Sequence, residues 1–332
     1  MTYADYATLN GMSSFRKDFL SENILYGVLD FFDWGTVNIG GFTNVTHSPA
    51  ISGVYGGDKS RLRAVEDPRY TNGQVWEAFH GNFVWESGVE FGTQPINISG
   101  VYIGSAFYPV GTTGDYAFYV DYPRGRVVFD TAIATTGVVK LDYSFKNVNY
   151  IAADDHPYVR EIMFDYHRVD LSDFLTSGSG NYSQLQDTRV ELPLVAVDLG
   201  IRRHTPIEIG GGQYVLQDCV FYILAESATD KNILTDIIAG QNDKTIKLLD
   251  RAAMKEHANY PHNINYRGEL ISGAQQYPDL VESFNWGKAS FSNTRVVDMG
   301  QVDVTRSVES FVNPKLYRSI VHTTMIVPTW NI

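Results

Sequence analysis

The feature that constrains this chain most is a change of hydrophobic period near Trp34. Residues 13–34, SSFRKDFLSENILYGVLDFFDW, place Phe15, Phe19, Ile24, Leu25, Val28, Leu29 and Phe32 at three- and four-residue steps. That spacing lines one face of a helix, with Ser13 or Ser14 as its cap and Gly35 as its stop. The stripe reads as core, with packing on a neighbouring subunit as the second reading. From Thr36 to about Asn149 the period falls to two. Runs such as TVNIGGFTNV, QVWEAFHGNFVWES and GVVKLDYSFKNVNYI are rich in Val, Ile, Tyr and Phe and are punctuated by Gly, Pro, Asn and Asp. Many short strands with regular turn signals predict a β-sandwich-like region.

The clearest hairpin in that region is AFYVDYPRGRVVFD, residues 117–130, with Pro123-Arg124-Gly125 as a solvated turn. TSGSGNYSQ, residues 176–184, reads as a flexible boundary. A second unit follows: strand RVELPLVAVDLGI, the glycines 210–212, strand QYVLQDCVFYILAES, a helix and the strand KTIKLLD. Ser227 and Asp230 cap that helix, Ile233, Leu234, Ile237 and Ile238 give its apolar face, and Gly240 is its stop. The expected fold is mainly β with an α+β module. Its parts are an arm and helix over 1–35, a β-sandwich-like domain over 36–175, and an α+β module with C-terminal strands over 185–332.

No catalytic, cofactor or metal site emerges. Gly210-Gly211-Gly212 fails as a phosphate loop, because Gln213-Tyr214 and a strand follow instead of Gly-Lys-Ser/Thr and a helix N-terminus. Glu208 would also repel a phosphate. None of the eight histidines forms a zinc motif, and Asp154-Asp155-His156 reads as a polar turn. Cys219 is the only cysteine and sits in an apolar run, so it reads as a buried small side chain. No Gly-x-Ser-x-Gly elbow is present. With 26 basic and 38 acidic residues the net charge is −12, which argues against general nucleic-acid binding. The N-terminus has no secretory pattern, and the longest apolar run, Cys219–Ala225, is too short for a membrane span. Trp76, Trp85, Trp286 and Trp330 read as core or interface, with sugar platforms as the rival reading.

Two segments carry a resemblance. FYVDYPRGRVVFDTAIATTGVVKLDYSF and PIEIGGGQYVLQDCVFYILAESATDKNILTDIIAGQNDKTIKLLD are similar to stretches of virion structural proteins of tailed bacteriophages. The strand–strand–helix–strand layout of the second resembles neck, head–tail connector or tail-completion proteins. The resemblance implies a non-enzymatic ring of six or twelve copies in the virion, assembled in the host cytoplasm. Other neck and tail proteins would be its partners, genomic DNA would pass without sequence-specific binding, and no membrane would be involved. It implies interface roles for Phe15, Phe19, Tyr122, Arg124, Arg126, Gly210, Gly211, Gly212 and Trp330. The alternative is a carbohydrate- or receptor-binding β-sandwich of a tail fibre or baseplate. A third reading, a glycan-degrading enzyme, would need two carboxylates facing a cleft.

Overall fold

The fold is seen in a computed structural model, which describes residues 20–47, 58–86, 89–153, 191–206, 213–256, 267, 269–270, 276–302 and 316–329. Helix α1, Leu20–Asn38, buries Ile24, Val28, Leu29 and Phe32. It runs through Gly35, where an added Cβ would meet nothing within 4 Å. It stops at Gly40, which has φ 91°. There the Gly41 N–H donates to Thr36 O (2.8 Å) and the Gly40 N–H to Val37 O (3.0 Å). This pair of bonds is the Schellman closure, and its left-handed residue favours glycine. The stop therefore lies five residues beyond the one the sequence predicts.

The stripe of α1 covers a six-stranded sheet. Its strands, in spatial order, are β10 (Asn149–Ala152), β11 (Leu194–Pro206), β12 (Gln213–Ala225), β15 (Leu316–Thr329), β14 (Asn285–Val302) and β13 (Thr245–Leu249). The β10–β11 pair is parallel and every other pair is antiparallel. Strand β12 alternates as a two-sided strand should. Val215, Cys219, Phe221 and Ile223 join the core under α1, while Val220, Tyr222 and Leu224 join a smaller cluster with Leu194 and Ala196. Helix α1 touches both edge strands, β10 and β13, so the sheet curls around it.

Helix α2, Ala228–Ala239, adds Leu234 and Ile238 to the same core as α1. Its N-cap is Ser227, whose Oγ accepts from the Asp230 N–H at 3.0 Å. Gly240 closes it in a right-handed conformation (φ −66°), and the left-handed residue comes later, at Asp243 (φ 67°). Helix α2 crosses β15 and β14 on its way to β13 at the far edge. Two short helices, α3 (Arg251–Glu256) and α4 (Tyr277–Ser283), lie between β13 and β14 in the chain.

The expectation of a β-sandwich over residues 36–175 is corrected by the structure. The protein is a mixed α/β fold built on α1 and the curled sheet, and the described strands of this region form three small sheets. One pairs β1 (Phe42–Val45) with β9 (Tyr143–Lys146). The second orders β2 (Arg63–Ala64), β3 (Val75–Glu77), β7 (Arg126–Phe129) and β6 (Phe118–Asp121). The third orders β5 (Ala106–Pro109), β4 (Gly100–Ile103) and β8 (Val139–Leu141). All nine strands are two to four residues long, too short to stack as broad layers. Strands β3, β7, β8 and β9 are buried at every residue, where sandwich strands would alternate between core and solvent. These sheets surround a second core that includes Trp76, Phe83, Phe129, Leu141 and Tyr143.

Candidate functional site

Among the described residues, the curled sheet has two edge stretches with no strand beside them. On one side, β10 pairs only with Leu194–Val197 of β11. Beyond a bulge between Leu199 and Arg202, the outer edge of β11 up to Pro206 has no strand beside it among the described residues. Ile201 on that edge is 71 % exposed. On the other side, β13 pairs with β14 only as far as Ser290. From Arg295 to Val302 the outer edge of β14 is likewise without a described partner strand, and Val296 and Val297 are 41 % and 52 % exposed.

The two edges lie at diagonal corners. The bare part of β11 lies level with the start of β12, since Arg202 opposes Gln217 and Pro206 opposes Gln213. The bare part of β14 lies level with the end of β12, because Arg295 opposes His322 and Val302 opposes Leu316 on β15. His322 in turn opposes Val220, and Tyr317 opposes Ala225. The offset is roughly 26 Å, about eight residues at ~3.3 Å each. Strands β11 and β14 also run in opposite directions, as the chain of antiparallel pairings requires.

Three of the interface residues predicted from sequence converge on the β6–β7 turn, which is packed down. Gly125 has φ 62°, and a Cβ there would stand 2.6 Å from Gly81 Cα. The Ala78, Asn82 and Phe83 N–H groups donate to the carbonyls of Gly125, Pro123 and Tyr122. Tyr122 is buried, and burial pushes its phenol up to about 12. Pro123 and Arg124 at the tip are exposed, as the solvated turn predicts, and Arg124 pairs with Asp121 at 2.9 Å. Arg126 is 3 % exposed and lies between Glu77 (2.9 Å) and Asp67 (3.5 Å). Phe15, Phe19, Gly210, Gly211, Gly212 and Trp330 lie outside the described residues. Sequence reading did not single out Ile201, Val296 or Val297. Ile201 is the lone apolar residue in GIRRHTP, and that isolation is the one available signal.

Other polar clusters serve as internal ties. Lys146 Nζ reaches Asp33 on α1 at 2.5 Å and Glu86 at 2.7 Å, joining the helix to β9. Burial pulls its pKa down, but the two carboxylates outweigh this and hold the ammonium above the ordinary lysine value. His47 Nδ1 lies 3.0 Å from Asp142, and its ring lies 3.8 Å from that of Tyr102. Cys219 is fully buried, and burial pushes its thiol up. Trp76 is 1 % exposed and donates to Gly73 O, Trp34 donates to Gln276 Oε1, and Trp85 and Trp286 pack against the two cores. No described helix is long and apolar enough to cross a membrane.

Compared with known proteins, the chain matches no family model and no curated sequence.

Proposed function

We propose that this chain is a non-enzymatic structural subunit that assembles with copies of itself, edge to edge, into a ring in the neck or tail of a tailed phage. The observation that carries the assembly reading is the pair of bare, antiparallel edges at diagonal corners of one sheet. The β11 edge of one copy beside the β14 edge of the next would continue the antiparallel order, with the helices of both copies on the same face. Such a contact is head-to-tail, and it closes into a ring when the rotation per copy divides a full turn. Exposed Ile201, Val296 and Val297 would be covered in the contact. The phage placement rests on the two segments that resemble virion proteins, and the count of six or twelve copies rests on the same analogy. An acidic chain suits the passage of DNA without adhesion.

The carbohydrate-binding alternative draws no support from the tryptophans. Trp76 is buried, Trp34, Trp85 and Trp286 are half-buried, and none of these four described ones is exposed. Mass photometry of the purified chain tests the assembly reading, with a discrete closed oligomer expected and a strict monomer at micromolar concentration overturning it. Mass spectrometry of intact particles tests the virion placement, and absence from particles overturns it.

A further inference from the structure

The bulge in β11 does more than expose Ile201. Beyond it, residues 202–206 pair with 217–213 in unbroken register and begin with three basic residues, Arg202, Arg203 and His204. Arg203 and His204 are exposed, and Arg202 is half-buried. The Arg202 guanidinium is held by two neutral groups: Nε donates to Gln217 Oε1 at 2.7 Å, and Nη2 donates to Ser21 Oγ at 2.7 Å. Gln217 is itself fixed, 1 % exposed, with its Nε2 donating to the carbonyls of Gly200 and Asp218 at 3.0 Å each. Among the described residues none of the three makes an ion pair, whereas Arg69, Arg124, Arg126, Lys140 and Lys146 each pair with a carboxylate. The charge on this edge is therefore not neutralised there, and at Arg202 it is not free to swing away.

An antiparallel edge can also pair with its own copy across a two-fold axis. The order of charges opposes that pairing. With the axis at residue 203, Arg203 stands opposite Arg203. With the axis at 204, His204 stands opposite His204 and the two Arg203 residues are diagonal neighbours. With the axis between them, Arg203 faces His204 twice. Like charges opposed across an antiparallel pair are destabilising, and charged residues on an edge strand are a general means of blocking unwanted pairing. The β14 stretch 295–302 differs: its sequence holds one arginine and one aspartate and is otherwise uncharged, so it has no net charge to repel β11. We propose that Arg202, Arg203 and His204 set the specificity of the contact between copies. They bar β11 from β11 and leave it to the β14 edge of a second copy, whose net charge of −12 favours the approach of a basic edge. This inference rests on the assembly reading and adds the reason why the contact is head-to-tail.

Native mass spectrometry of the full chain, paired with amide hydrogen exchange, tests it. Arg203→Thr combined with His204→Thr removes the exposed basic groups and keeps residues that favour strands. That variant is expected to form a dimer that the wild type does not, with exchange in residues 202–206 slowed about tenfold in the dimer. If the double variant does not fold, Arg203→Thr alone is the milder change and should give the same dimer in smaller yield. A folded variant that shows only the wild-type species overturns the proposal, and a closed wild-type oligomer in that experiment leaves the assembly reading standing. A monomeric wild type whose variant dimerises through residues 202–206 upholds the bar between β11 edges and overturns the assembly reading. Monomers throughout overturn both.

Discussion

Lys146 has two carboxylate partners from distant parts of the chain, Asp33 113 residues away and Glu86 60 residues away. Replacing it with Met leaves both acids facing each other without a cation. The expected loss is about 3–5 kcal/mol, measured by urea unfolding. Because its folded pKa is raised, its stabilisation is complete below the ordinary lysine value of 10.5 and is lost only as pH rises above it. Asp67 has the opposite dependence. The Arg69 hydrogen bond leads in holding its carboxyl below 3.8, over an opposing push from burial. Its stabilisation is complete above that value and is lost as pH falls through the lowered pKa. Between about pH 5 and about pH 3 the urea midpoint of the wild type should therefore fall, and that of Asp67→Asn should fall less. The two partners of Lys146 were not legible in the sequence, because they lie far along the chain and the fold chooses them, whereas Asp67 and Arg69 are only two residues apart. The turn at Pro123-Arg124-Gly125 was legible as a turn but not as a packed one, because nothing local reveals its contact with residues 78–83.

At the scale of elements, α1 shows where pattern reading works and where it stops. Its apolar face was legible, because Ile24, Val28, Leu29 and Phe32 keep helical spacing and all four are buried. Its end was not, because Gly35 and Gly40 are both glycines and only the fold shows which one takes a positive φ. Gly27 has a third role. An added Cβ there would stand 2.8 Å from Leu248 Cδ2 on β13. Gly27→Val should therefore push α1 off an edge strand of the sheet and cost about 1–3 kcal/mol by thermal or urea melting. Gly27→Ala should cost less, since the atom it meets is the far end of a side chain and alanine favours the helix. The capping of α2 by Ser227 was also legible, because that bond spans only three residues.

At the scale of the molecule, period two showed that residues 36–149 were rich in strands, but a period names the face of a strand and not its neighbour. The sandwich expectation failed there, since strands two to four residues long fell into three sheets and β10 left them to join the curled one. The bare corners follow from the same topology. Among the described residues they arise because β10 and β13 are shorter than the strands they flank, a mismatch that only the pairing register reveals. A chain carrying both Ile201→Lys and Val297→Lys should keep its fold and run as a monomer where the wild type forms a closed oligomer, as read by analytical ultracentrifugation. An unchanged oligomer in the double variant would place the contact elsewhere on the surface.

The seat of β15 between β12 and β14 has a bearing on synthesis. A ribosome delivers β10, β11 and β12, then β13 and β14, before Leu316–Thr329 emerges. Until then the sheet is two unjoined halves, and the inner edges of β12 and β14 stand open. The nascent chain must hold those edges apart from other chains until its final described strand slots in. Completion of the sheet, and of the curled face that α1 fills, therefore waits for β15.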